Sequence, residues 1–175
     1  APEDGINAVV VASKAIAQMH IGRIDAETTT NIGRIEGGGP TNIVPDTVTF
    51  TAEMRSHNME TLRAEREHME RCCHEAAASM GASCEFHCEE SYPALRVDPK
   101  GELCCKVQNA MKAEGVEPRL EITGGGSDAN FLAGNGYECV ILSVGMENVH
   151  ATNEQLNMDE LWKATRVLRR LMEAE

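Results

Sequence analysis

The chain has 175 residues, 42% of them apolar, enough to form a core in one ordinary domain or two small ones. Its formal charge of -12 argues against nucleic acid or an anionic membrane as the main partner, because both select basic surfaces. No apolar run is long enough to span a bilayer and Ala1-Pro2-Glu3-Asp4 is not the start of a signal peptide, so the expected location is cytoplasmic.

Pro2 to about Met19 reads as a helix with Pro2, Glu3 and Asp4 in its first turn and Ile6, Val9, Val10, Ser13 and Ile16/Ala17 marking one face. Gly22 is expected to end the turn that follows. Thr28 to Glu36 has the β-branched content of a strand. The loop Gly37 to Asp46 then connects it to a second strand, Thr47 to Arg55, as a hairpin with an enlarged connection. That second strand alternates: Val48, Phe50, Ala52 and Met54 share one face, while Thr47, Thr49, Thr51, Glu53 and Arg55 share the other. A guanidinium on the polar face, beside Asn42 of the Gly/Pro loop, suits bidentate binding of a carboxylate, leaving the Asn42 amide for a carbonyl. A surface pairing of Arg55 with Glu53 or a cross-strand acid is the competing reading.

Asn58 caps a helix from Met59 to about Met80, with Leu62, Met69, Cys73, Ala76 and Met80 inward and Gly81 closing it. Ala82 to Glu90 follows as a strand, with Cys84, Phe86 and Cys88 opposite Glu85, His87 and Glu89. The seven cysteines lack the spacing of a structural zinc site, and reduced, mostly buried thiols are expected. The order α-β-β-α-β is the split βαβ arrangement with its first strand absent. Because that strand is central in the usual sheet, it is expected to lie upstream in a longer parent, so that this chain begins inside a domain.

Beyond Tyr92-Pro93-Ala94-Leu95-Arg96-Val97-Asp98-Pro99, which reads as a linker, a helix is expected from about Lys100 to Glu114 and a short strand from Arg119 to Thr123. Gly124-Gly125-Gly126-Ser127-Asp128 opens a short helix ending near Gly134, with Ser127 as N-cap. It is not a phosphate loop, since no Lys-Ser/Thr follows the glycines at the required place. Cys139 to Val144 is an apolar run of buried-strand type. The last helix starts at the cap Asn157, with Glu160 at capping-box spacing, and carries Leu161, Ala164, Leu168 and Leu171 on one face. This half is α/β with two evident strands, too few for a self-sufficient sheet. Between the apolar run and the last helix, His150 lies just past a strand end, where α/β folds collect ligands and metals, although a lone loop histidine is commonly just solvated.

Five segments recur together in one family: Pro2-Glu3-Asp4-Gly5-Ile6-Asn7-Ala8; Gly37-Gly38 with Thr41-Asn42-Ile43-Val44-Pro45; Glu53-Met54-Arg55-Ser56; Gly125-Gly126-Ser127-Asp128-Ala129; and His150-Ala151-Thr152-Asn153-Glu154. In this order and separation they resemble the peptidase T branch of the zinc-dependent aminoacylase and peptidase family, which includes acetylornithine deacetylase and succinyl-diaminopimelate desuccinylase. The resemblance covers essentially the whole chain. It implies a parent with a catalytic α/β domain holding two zinc ions and an inserted ferredoxin-like βαββαβ lid. Residues 1–97 resemble the lid without its first strand, through which such proteins commonly form homodimers. Residues 98–175 resemble the C-terminal return into the catalytic domain.

By the same resemblance, Asn42 and Arg55 would hold substrate backbone and carboxylate, Gly125 and Gly126 would offer backbone contacts, and His150 would be the last metal ligand. The substrate would be a peptide or N-acyl amino acid. The family's His-x-Asp motif, bridging Asp, adjacent Glu pair and further carboxylate ligand precede the lid and are not found in this sequence. Glu89-Glu90 is an adjacent pair, but successive strand residues face opposite ways, and it is not assigned the role of general base. The chain alone is therefore expected to be inactive, its catalytic portion lying in a missing N-terminal part. The alternative is a non-enzymatic dimerisation or interaction module derived from the lid.

Overall fold

Gly5 interrupts the helix expected from Pro2 to Met19. In the computed structural model, which describes residues 1–173, Pro2–Asp4 forms a single 3-10 turn and Gly5 is extended (φ -119°, ψ 151°). Residues 174 and 175, the end of the expected second domain, lie outside the described residues. Asn7 restarts the helix: its side chain accepts the N–H groups of Val9 and Val10 and caps α1, Ala8–Gln18. The buried face of α1 also differs from the one expected. Ala12, Ala15 and the following Met19 are buried, whereas Ile6, Val9 and Val10 are exposed. Small side chains let this helix pack closely on the next one, where β-branched residues would hold the two apart.

A short strand replaces the turn expected at Gly22. β1, Gly22–Arg23, pairs antiparallel with Thr30 and Thr29 of β2, Thr28–Gly37. β2 in turn pairs antiparallel with β3, Val48–Ser56, giving the sheet order β1-β2-β3. The register shifts between Ile32 and Arg34, which makes Gly33 a bulge. Thr28 and Thr30 are buried but satisfied: Thr28 Oγ1 lies 2.9 Å from Ser56 Oγ, and Thr30 Oγ1 donates to the His20 carbonyl. Ile32, Phe50 and Met54 pack against the core, as the alternation of β3 predicts for its two residues.

Asn58 caps α2, Met59–Ser79, by accepting the N–H groups of Glu60 and Thr61, as expected. Met69, Cys72, Cys73 and Ala76 of this helix meet Ala15 and Met19 to form the core cluster. The buried Glu65 carboxylate lies 3.1 Å from His20 Nδ1, and the His20 ring stacks on His68 at 4.1 Å. Ala82 to Glu90 keeps its period of two, with Cys84 and Phe86 against the core and Glu85 and His87 exposed. It is not a strand, however: no ladder bonds it among the described residues, and Cys88, expected inward, is exposed. Side-chain alternation sets which face is buried, but a strand also needs a neighbour to take its N–H and C=O groups.

The chain divides into compact units between Glu90 and Ser91, so residues 91–97 pack with the second unit. There α3, Glu102–Ala113, buries Cys104, Val107 and Ala110, and α5, Met158–Glu173, buries Ala164 and Val167. Leu168, expected inward, is exposed, because Val167 takes the inward position. Glu114 joins the two helices, accepting from Arg170 Nε at 2.6 Å with Arg166 Nε at 3.4 Å. The strands expected at 119–123 and 139–144 do not form among the described residues, and Ile122 and Ile141 are exposed. A buried-type strand needs flanking strands and cover on both faces, and neither run pairs with another strand among the described residues. An unanticipated pair does form: β4, Met146–Glu147, antiparallel to β5, Gln155–Leu156. Among the described residues no helix is long and apolar enough to cross a membrane.

Candidate functional site

The β2–β3 ladder presents two of the sequence-derived site residues, one near each end. At one end Gly37 pairs with Val48, and the connection beyond carries Asn42. A turn bond from Ile43 N–H to the Pro40 carbonyl (3.0 Å) shapes this loop, and Ala8 N–H donates to the Pro45 carbonyl (2.9 Å), tying it to the start of α1. Asn42 itself is exposed. At the other end Arg55 pairs with Thr29 and is half-buried, its Nη2 donating to Glu53 Oε2 at 2.9 Å.

The pairing with Glu53, the competing reading of the sequence, is therefore present. Both groups stand on one face, as residues two apart on a strand must. From Val48 to Arg55 the strand runs roughly 23 Å at about 3.3 Å per residue. Arg55 therefore stands near the end of the ladder away from the connection that carries Asn42. Strand alternation told which face Arg55 occupies, but the hairpin register set its distance from the loop.

In the second unit Gly125 and Gly126 precede α4, Asp128–Gly134. Ser127 caps this helix as expected: Ala129 N–H donates to Ser127 Oγ at 3.3 Å, and Ser127 N–H donates to Asn130 Oδ1 at 2.9 Å. The ring of Tyr92 lies against Gly126, and a Cβ on Gly126 would fall 2.2 Å from Tyr92 Cζ. Sequence reasoning placed Tyr92 in a linker and missed this contact. A Tyr-Pro pair beside a domain boundary was its only signal.

His150 sits between β4 and β5 in the left-handed region (φ 66°), as does Asn148 (φ 54°). Such a conformation costs a non-glycine residue about 1 kcal/mol or more and persists only where the surroundings hold it. Here His150 N–H donates to Glu154 Oε2 at 2.8 Å, Gln155 Nε2 to Glu147 Oε2 at 2.7 Å, and Asn157 N–H to the Gly145 carbonyl at 2.9 Å. The imidazole is left exposed on a braced turn. The sequence signal for that turn was Asn148 and His150 themselves, both residue types enriched in left-handed backbone.

Among the described residues no three His, Cys, Asp or Glu side chains are grouped so that they could hold a metal ion. A catalytic zinc takes about three protein ligands, so the residues of this chain do not by themselves fit the implied two-zinc centre.

The sequence model of Peptidase family M20/M25/M40 matches residues 3–174. The chain belongs to this family. Over 172 residues it is 42% identical to the uncharacterized protein YqjE of Bacillus subtilis (strain 168), covering 98% of this chain and 46% of that protein. Aminopeptidase PepT from Bacillus cereus ATCC 10987 superposes with a TM-score of 0.84 at 40% identity. A tripeptidase from Staphylococcus aureus subsp. aureus Mu50 superposes at 0.89 and 34%. In both structures the match takes in 98% of this chain and 46% of the other. This M20/M25/M40 chain therefore spans less than half the length of the relatives it matches. Its mixture of helices and small antiparallel sheets is the one those relatives contain, in accord with the fold class expected from sequence.

Proposed function

We propose that this chain is the substrate-reading portion of a metal-dependent peptidase that hydrolyses short peptides or N-acyl amino acids. The observation that carries the reading is the superposition of 98% of the chain on a tripeptidase at a TM-score of 0.89. Arg55 pairs with the substrate carboxylate through its planar fork of donors. Asn42, in the exposed connection between β2 and β3, binds a carbonyl of the substrate backbone. Gly125 and Gly126 offer backbone groups to the substrate chain. The unit formed by residues 1–90 acts as a lid and homodimer surface, and its closure couples carboxylate recognition to hydrolysis. In the whole protein, whose location is cytoplasmic, His150 supplies one ligand to a two-zinc centre, the other ligands and the general base coming from residues outside this chain.

The test compares the full-length protein with this chain. The full-length protein is expected to hydrolyse tripeptides in a manner lost on dialysis against a chelator and restored by zinc, whereas the purified chain of 175 residues turns over none. Absence of peptide and N-acyl amino acid hydrolysis in the full-length protein would sink the peptidase reading. Zinc-dependent turnover by the chain alone would sink the assignment of the missing ligands and base.

A further inference from the structure

The loop Gly124–Gly126 is attached to the segment at which the chain passes from one compact unit to the next. The units divide between Glu90 and Ser91, and Tyr92 and Pro93 follow at once. Both are fastened, within the second unit, to the loop and the helix behind it. The Tyr92 ring occupies the space a side chain on Gly126 would need, its Cζ, Oη and Cε2 all within 2.7 Å of where a Cβ would stand. The same ring meets Phe131 of α4 edge-on, with centroids 6.1 Å apart and planes at 66°.

Pro93 is held as firmly. Its carbonyl accepts from Asn130 Nδ2 at 2.9 Å, and its ring fills the place of a side chain on Gly134. Asn130 is 5% exposed, and its other amide atom, Oδ1, accepts the N–H of Ser127, the residue after Gly126. One buried amide thus bonds both the connector and the exit of the glycine loop. The ring of Tyr92 fixes Gly126 from one side while Asn130 fixes Ser127 from the other.

We propose that Tyr92 is a positioning residue that sets the backbone of Gly125 and Gly126 for substrate, and that it links this loop mechanically to the connector between the units. The proposal rests on the peptidase reading for the role of the loop. The contact itself stands on geometry alone. A side chain at position 126 would have to displace the Tyr92 ring, whose Cζ and Oη stand where its Cβ would be, while the backbone angles of Gly126 do not themselves call for glycine. Movement of Tyr92 toward the loop would press on Gly126, since the ring stands where a side chain there would be.

The experiment uses the full-length protein with 13C-labelled glycine, in the wild type and in the variants Tyr92→Leu, Tyr92→Phe, Gly126→Ala and Gly126→Ala with Tyr92→Leu. The Gly126 α-protons, packed on the ring, are expected to show a ring-current shift that Tyr92→Leu abolishes and Tyr92→Phe retains. On a tripeptide, Tyr92→Leu is expected to raise KM about 10-fold with a smaller effect on kcat, as loss of a group acting on bound substrate should, and Tyr92→Phe to restore most of it. Gly126→Ala approaches the contact from the other side. Because both single changes break one contact, the double variant should lose little more than the worse of the two.

A wild-type shift that is absent, or unmoved by Tyr92→Leu, overturns the contact. Hydrolysis with KM unchanged in Tyr92→Leu, or strictly additive losses in the double variant, overturns the positioning role while the peptidase reading survives. No hydrolysis by the wild type removes both, with the ring contact still read from the shift.

Discussion

Arg55 offers the most direct test of substrate reading, because its contact with Glu53 is an exposed ion pair of known strength. Its Nη2 donates to Glu53 Oε2 at 2.9 Å, and both side chains are substantially solvated, at 41% and 54% exposure. An exposed pair of this kind is worth about 0.2–1 kcal/mol, so losing the Glu53 contact by itself should cost the fold little. A charge-assisted bond to a substrate carboxylate is worth about 1.5–3 kcal/mol, which corresponds to roughly 10- to 150-fold in kcat/KM. Arg55→Ala in the full-length protein is therefore expected to lower kcat/KM by that factor for a tripeptide with a free carboxylate, and far less for its C-terminal amide. On that assignment Glu53 would compete with the substrate for the guanidinium. Glu53→Gln should raise kcat/KM for the free-carboxylate peptide, by at most about 5-fold because the pair it breaks is worth at most about 1 kcal/mol. Steady-state kinetics on the matched pair of peptides decides the matter: equal losses on the acid and the amide would remove Arg55 from carboxylate recognition.

Met69 is 1% exposed among small neighbours, Ala15 and Ala76, that cannot collapse into its space, so Met69→Ala should cost about 3–4 kcal/mol and Met69→Leu less than about 1.5. Residues 1–90 contain no Trp or Tyr, so urea unfolding is followed by far-UV circular dichroism, and a loss below about 1 kcal/mol for the alanine variant would show the core misplaced. Glu114 has its carboxyl held below the ordinary range by Arg170, with Arg166 assisting. A lowered acid stabilises the fold above its unfolded value, near 4.3, and loses that contribution as pH falls through the folded value. Glu114→Gln should therefore flatten the fall of the thermal midpoint below about pH 4.5, and an unchanged slope would contradict the bridge. Burial, and secondarily the neighbouring Cys84, pushes the Cys73 thiol up to about 12. Iodoacetamide at pH 8 should therefore alkylate the exposed Cys88 and Cys105 well before Cys73, as read by peptide mass spectrometry, and labelling of Cys73 at the rate of Cys105 would refute its burial.

Local chemistry was legible where a single residue carries it. Asn58, Ser127 and Asn157 each cap a helix in the structure as their sequence positions predict, because a cap needs only its own side chain and the next two or three N–H groups. Asn7 does the same and was overlooked behind the more conspicuous Pro2-Glu3-Asp4. The family motifs were equally readable, since they are strings of residues in order. Burial was harder. Val9 and Val10 are more apolar than Ala12 and Ala15, yet the alanines face the core, because close helix packing selects small side chains over hydrophobic ones.

The sequence by itself determined the helices, the β2–β3 hairpin, the face on which Arg55 stands and the family to which the motifs belong. All of these follow from periodicity, caps and residue order, which are local. Only the tertiary structure decided that Ala82 to Glu90, 119–123 and 139–144 do not join a ladder, that Asn42 and Arg55 lie at opposite ends of the hairpin, and that Tyr92 closes on Gly126. Each depends on what a segment meets at a distance along the chain, a neighbouring strand, a register or a ring, and no pattern within the segment encodes its partner.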